Sequence, residues 1–164
     1  EAKESVADGE LDLAVVTMGD DLPARLDYLR LTSYDMMYCV GPDHPLANRK
    51  TVSLKETAQY PMIIFSGGYY QRTLLESSFR TLELTPEILF HSNQLTTIKS
   101  FIRENIASGF IMPQIIREED GIIPIEVEEG LRLNVAVVWR KDDSLTKEAE
   151  NFISFCRRTF EVAV

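Results

Sequence analysis

The sequence is poor in the residues that most reaction chemistry uses. Its 164 residues include two histidines, His44 and His91, and two cysteines, Cys39 and Cys156. Neither histidine has metal-ligand spacing, and no C-x-x-C pair occurs. A cysteine nucleophile needs a neighbouring base, and the sequence sets none beside either thiol. Both cysteines sit in apolar stretches, which predicts buried free thiols. Signatures for a nucleophile elbow, a phosphate loop, a dinucleotide loop and a zinc protease are all missing. No cofactor and no metal are expected, and no enzyme activity.

Basic residues are also short. Seventeen lysines and arginines face 26 acidic residues, a formal net charge of −9. Such a chain is repelled by nucleic-acid phosphates and by anionic membrane surfaces. No apolar run approaches the roughly 20 residues that span a bilayer. The start, Glu1 to Ser5, is acidic and has no apolar segment, so it does not read as a signal peptide. It begins without Met and in mid-pattern, so a fragment of a longer protein is expected. Eight glycines and seven prolines are too few for low complexity. What is plentiful is apolar residue, 45% of the chain, enough to bury a core.

Along the chain, short apolar runs alternate with helical stripes. Residues 1–8 read as a helix end, closed by Asp8-Gly9. Leu11 to Val16 reads as a buried strand. Residues 27–41 read as a long extended segment, closed by Gly41-Pro42 and the His44-Pro45-Leu46-Ala47 turn. Ser53-Leu54-Lys55-Glu56 is a capping box opening a short helix. Met62 to Phe65 is a second strand, and a helix follows from about Tyr69 to Leu82. Glu87 to His91 is a third strand. Ser92 or Asn93 then caps a helix carrying Leu95, Ile98, Phe101, Ile102 and Ile106, which Gly109 stops. Phe110 to Met112 makes a fourth strand, followed by a short helix to about Glu119. Residues 122–127 and 131–141 read as strands. A last helix begins near Ser144 to Thr146, with Ala149, Phe152, Ile153, Cys156 and Phe160 as its stripe. The order predicts an α/β fold with mostly parallel strands. Two long segments, 27–42 and 131–141, are suited to crossing between two lobes.

Three places could hold a ligand. Phe65-Ser66-Gly67-Gly68-Tyr69 is a strand end, a small-residue loop and a helix start, where unpaired N–H groups favour an anion. His91-Ser92-Asn93-Gln94-Leu95-Thr96-Thr97 repeats that layout with more polar side chains than a cap needs. Thr17 ends the first strand and would face a cleft between lobes. The plain alternative for the first two is an ordinary capped strand-to-helix loop. The acidic residues Glu118, Glu119, Asp120, Glu126, Glu128 and Glu129 read as a solvated face.

These pieces in this order resemble the effector-binding domain of LysR-type transcriptional regulators. The resemblance rests on Gly9-Glu10-Leu11-Asp12-Leu13-Ala14, on His44-Pro45-Leu46-Ala47, and on Ile106-Ala107-Ser108-Gly109-Phe110-Ile111-Met112-Pro113. It implies a bilobed periplasmic-binding-protein-like (type II) domain of three-layer α/β/α lobes joined by two crossing strands. Residues 1–36 and 137–164 would form the first lobe, lacking its first strand and helix, and 37–136 the second. It implies that a small, often carboxylate-bearing effector sits between the lobes, met by Ser66, Gly67, Tyr69, Asn93 and Thr96, with Thr17 opposite. It further implies a cytoplasmic homodimer or tetramer in the full-length protein, touching DNA only through a winged helix-turn-helix absent from this chain. A secreted solute-binding protein of a transporter is the alternative with the same fold. A dehydratase-type enzyme is a third, but neither loop offers the carboxylate that acid–base work needs.

Overall fold

The computed structural model describes residues 2–19, 24–67, 70–141 and 145–160. By its contacts the chain divides into two units, one of residues 1–33 and 133–164, the other of Tyr34–Arg132.

In the first unit, strands β1 (Leu13–Met18), β2 (Leu26–Asp35) and β9 (Arg132–Arg140) form a sheet in the order β1-β9-β2. β1 runs antiparallel to β9, with Leu13 opposite Trp139 and Met18 opposite Asn134. β9 is apolar on both faces because a helix covers each. Ala136 and Val138 pack with Val16, Met18 and Val6 of α1 (Ala2–Ala7), and Val137 packs with Ile153 and Cys156 of α5 (Lys147–Thr159). Thr146 caps α5 by accepting the Ala149 N–H at 3.3 Å. Only part of the predicted α5 stripe is core. Ala149, Ile153 and Cys156 are buried, but Phe152 is 39% exposed and Phe160 45%. A period of 3.6 marks a wide face, and the sheet covers only its centre.

The second unit carries β3 (Met37–Val40), β4 (Thr51–Val52), β7 (Gly109–Ile111) and β8 (Ile123–Val127) in the order β4-β8-β3-β7. β5 (Met62–Phe65) pairs in parallel with β6 (Ile88–Ser92). A parallel bridge from Met62 to Ser108 links that pair to the approach to β7. The mostly parallel arrangement expected from the sequence is not what forms. β3 is antiparallel to both β7 and β8, while β4–β8 and β5–β6 are parallel. β3 is reached along an extended segment and not through a crossover helix, so nothing constrains it to the common direction.

Three helices belong to this unit: α2 (Leu54–Thr57), α3 (Tyr70–Thr81) and α4 (Leu95–Arg103). The Ser53–Glu56 capping box forms as read, and α2 gains a second cap because Glu129 accepts the Leu54 N–H at 2.9 Å. Ile98 and Ile102 of α4 pack on Cys39, Ile63 and Ile111. α4 ends earlier than expected. Asn105 turns the chain at φ 54°, and Ile106 is 47% exposed beyond it. Gly109 is the first residue of β7, and its role is close approach: a Cβ there would lie 3.0 Å from the Ile63 carbonyl oxygen. The short helix expected after Pro113 is two 3₁₀ turns, Pro113–Ile115 and Glu118–Asp120.

The cysteines are free and buried. Burial pushes the Cys39 thiol up to about 12, so it carries no thiolate. His44 is structural. Its Nδ1 accepts the Leu46 N–H at 3.1 Å, and its ring lies 4.4 Å from Tyr60. Burial lowers its pKa from the ordinary 6.5.

Two outcomes follow in denaturation experiments. Ile102→Ala is expected to lose about 2–5 kcal/mol, as a fully buried aliphatic. Phe152→Ala is expected to lose about 1–2 kcal/mol because much of its ring already meets water. Equal losses would place Phe152 in the core. A pH series tests His44. The unfolded chain takes up the proton first, so His44 makes stability fall as pH drops below about 6.5 and level off beneath the folded pKa. His44→Asn should flatten that part of the curve, and an unchanged slope would acquit the imidazole.

Candidate functional site

The loops after β5 and β6 come to the same end of a parallel strand pair. Phe65 lies opposite Ser92 in the ladder, and the Ser66 N–H donates to the Ser92 carbonyl at 3.1 Å. The pairing therefore sets Ser66 beside the segment that opens α4. Ser66 is half-buried, and Gly67, Asn93 and Thr96 are exposed. Tyr69 lies outside the described residues, as does Gly68.

The polar groups here divide into two sets. Ser92 is engaged by the turn: its Oγ accepts the Gln94 N–H at 3.1 Å. Gln94, not Ser92 or Asn93, is the N-cap residue of α4, and it makes no side-chain cap bond. Its Oε1 instead accepts the Thr97 hydroxyl at 3.2 Å. Among the described residues, the Ser66 hydroxyl, the Asn93 amide and the Thr96 hydroxyl make no hydrogen bond. Nor do the N–H groups of Leu95, Thr96 and Thr97, while the Ile98 N–H already bonds to Gln94 O. A helix start with open donors and neighbouring free side chains suits a polar or anionic group.

Thr17 belongs to the other unit. It sits in β1 opposite Val135, half-buried, and its hydroxyl also has no partner among the described residues. Val16 and Met18 pack toward α1, so the alternation of the strand turns Thr17 to the opposite face.

Two larger cavities flank the helices of the second unit. One of 510 Å³ lies along α3, with Ile64, Leu75 and Phe79 as floor and Arg72, Arg80 and His91 at its edge. The other, of 530 Å³, runs along α4, where Thr96, Lys99, Arg103, Ile115 and Asp120 line it. Ser66, Gly67 and Asn93 line neither.

The sequence does not point to Lys99 by any motif, and Asp120, expected on a solvated face, is instead paired with it. Lys99 donates to the Asp120 carboxylate and to the Ile115 carbonyl, tying α4 to the 3₁₀ segment. The Lys99 hydrogen bond holds the Asp120 carboxyl below the usual range. One signal was available: Lys99 falls between Leu95 and Ile102 at helical spacing, and a cation on an apolar face needs a partner. Two members of the acidic cluster thus have structural work, Asp120 here and Glu129 on α2. Among the described residues no group of three His, Cys, Asp or Glu side chains could hold a metal ion. No helix among them is long and apolar enough to cross a membrane.

Solved structures share this fold. The regulatory domain of CcmR from Synechocystis PCC6803, in complex with 2-phosphoglycolate, is similar at a TM-score of 0.82, with 14% identity, 97% of this chain and 78% of that one covered. The effector binding domain of QuiR, in complex with shikimate, is similar at 0.81, with 19% identity, 96% of this chain and 76% of that one. In sequence, the chain is 27% identical to the HTH-type transcriptional regulator YwbI of Bacillus subtilis, over 92% of this chain and 51% of the relative. It is 26% identical to the HTH-type transcriptional regulator CysB of Haemophilus influenzae, over 66% of this chain and 33% of the relative. The chain spans about half the length of YwbI. The LysR substrate binding domain family matches residues 1–161, nearly the whole chain. With its periplasmic-binding-protein-like type II fold, the chain therefore belongs to the LysR substrate-binding-domain family.

Proposed function

We propose that this domain senses a small carboxylate-bearing metabolite and that the loops after β5 and β6 make the contact. One observation carries the reading. Ser66, Asn93 and Thr96 stand at one end of the β5–β6 pair with their polar groups unused, next to the open N–H groups of α4. Gly67 and Tyr69 complete the loop side of this assignment, and Thr17 is the contact assigned to the first unit. Shikimate and 2-phosphoglycolate, held by the two similar domains, both carry a carboxylate, which supports that ligand class.

In the whole protein, effector binding shifts the balance between two arrangements of a homodimer or tetramer. That moves a separate DNA-binding domain and alters transcription in the cytoplasm. The regulators among its relatives support this reading over a transporter's solute-binding protein or an enzyme. The domain itself, at a net charge of −9, leaves DNA contact to that other part of the protein.

The test is a thermal-shift screen of small carboxylates, with shikimate and 2-phosphoglycolate among them, followed by calorimetry on Ser66→Ala. Losing a hydrogen bond to a charged group should weaken binding by about 10–100-fold. The melting temperature without ligand should stay put, because the Ser66 hydroxyl supports nothing in the fold. Wild-type affinity in Ser66→Ala would remove Ser66 from the site.

A further inference from the structure

The first unit holds a small pocket whose polar side chains can all donate hydrogen bonds. It measures 80 Å³ and is lined by Met18, Gly19, Tyr28, Arg30, Asn134 and Ala136. Tyr28 and Arg30 share one face of β2, being two residues apart in a strand. Asn134 and Ala136 share the facing side of β9, next to Met18 at the end of β1. Six arginines of this acidic chain, Arg25, Arg49, Arg72, Arg103, Arg117 and Arg132, pair with carboxylates. Arg30, like Arg80, does not: its side chain makes no ion pair and no hydrogen bond among the described residues.

Asn134 explains which way the pocket is poled. It is 8% exposed, and its Oδ1 accepts the Ser33 hydroxyl at 2.8 Å. That bond fixes the amide, so the Nδ2 hydrogens are directed away from Ser33. The polar side chains lining the pocket are Arg30, Asn134 and Tyr28, and no carboxylate lines it among the described residues. A guanidinium beside a second fixed donor matches the two oxygens of a planar carboxylate.

The geometry points to a carboxylate-binding subsite at Arg30 and Asn134, for the terminal carboxylate of a small organic acid. A volume of 80 Å³ is enough for such a group. The subsite is built by the first unit alone. It does not rest on Ser66, Asn93 or Thr96, so it can fail while their assignment stands, and the reverse.

The test is an NMR titration of the isotope-labelled chain with sodium acetate, and separately with inorganic phosphate, each against sodium chloride at equal ionic strength. The resonances to follow are the Asn134 side-chain NH₂ and the Gly19 N–H. Acetate should move both to saturation in the millimolar range, since a net charge of −9 opposes anion entry. Arg30→Gln should raise the acetate Kd at least tenfold and leave the rest of the spectrum in place, because Arg30 holds nothing in the fold. Arg80→Gln, at an exposed arginine of the other unit, should titrate as wild type. Non-saturating shifts, an unchanged Kd in Arg30→Gln, or saturation by phosphate alone would each overturn the assignment.

Discussion

The second unit depends on a seam one residue wide. Ser108 donates its N–H to the Pro61 carbonyl and accepts the Ile63 N–H, both at 2.8 Å, and its hydroxyl returns to Pro61 O at 3.0 Å. These bonds join the β5–β6 pair to the strand that becomes β7. The next residue must be glycine-sized, because Ile63 O and Ile102 Cδ1 crowd the place of a Cβ at 3.0 and 3.1 Å. The seam thus sets where β5 begins, the ladder sets where it ends, and the loop at Ser66 starts from that end. Ser108, only 1% exposed, is kept there because its N–H, its carbonyl and its hydroxyl hydrogen are all bonded to the backbone across from it.

Helix α4 leans on the same seam. Ile98 and Ile102 rest on Ile63 and Ile111, and Asn105 in the left-handed region turns the chain beneath. Gly41 makes room for that turn, since a side chain there would collide with Asn105 and with the Ile102 carbonyl. At its other flank, Lys99 reaches Asp120 and Ile115 O. The open N–H groups of α4 are therefore held from three sides, by apolar packing, by the turn and by an ion pair. Donors held this way lose little freedom on meeting a ligand, which is the condition for a few hydrogen bonds to give useful affinity.

How much of this was legible in the sequence depended on whether the signal was local. β9 could be read because Leu133 to Trp139 are apolar on alternating and then successive positions, and the structure covers both faces of its later part. The Ser53–Glu56 box could be read because both partners sit within one turn. The direction of β3 could not, since antiparallel pairing with β7 and β8 is decided by chain segments about 70 and 85 residues away. Phe152 shows the limit of periodicity: it shares the stripe with Ile153 and Cys156, yet only a covering element makes a stripe residue core. Gly109 reads locally as a helix stop, and its actual constraint is contact with Ile63 across the sheet. At the candidate loops, strand end and helix start were visible locally, but the parallel register that sets Ser66 beside Ser92 was not.

Among the described residues, hydroxyls used by the scaffold contrast with the unused ones at the candidate loops, though unused hydroxyls also stand at Thr51, Thr73 and Thr85. Ser33, Ser53, Thr57, Ser77, Ser78, Ser92 and Ser108 all have protein partners. Ser66, Asn93, Thr96 and Thr17 do not. Exposure alone does not explain the difference, because the exposed Thr81 hydroxyl bonds to Ser77 O and the half-buried Thr17 hydroxyl has no partner among the described residues. Serine and threonine hydroxyls close to backbone readily find it, so one that lacks a protein partner is left to water or to a ligand. Water satisfies such a group cheaply at an exposed position, and a ligand gains by displacing it only where several donors converge. The register of β5 with β6 sets Ser66 beside Ser92, next to the segment that opens α4. The Ser33 bond likewise fixes the Asn134 amide, in the pocket that Arg30 also lines.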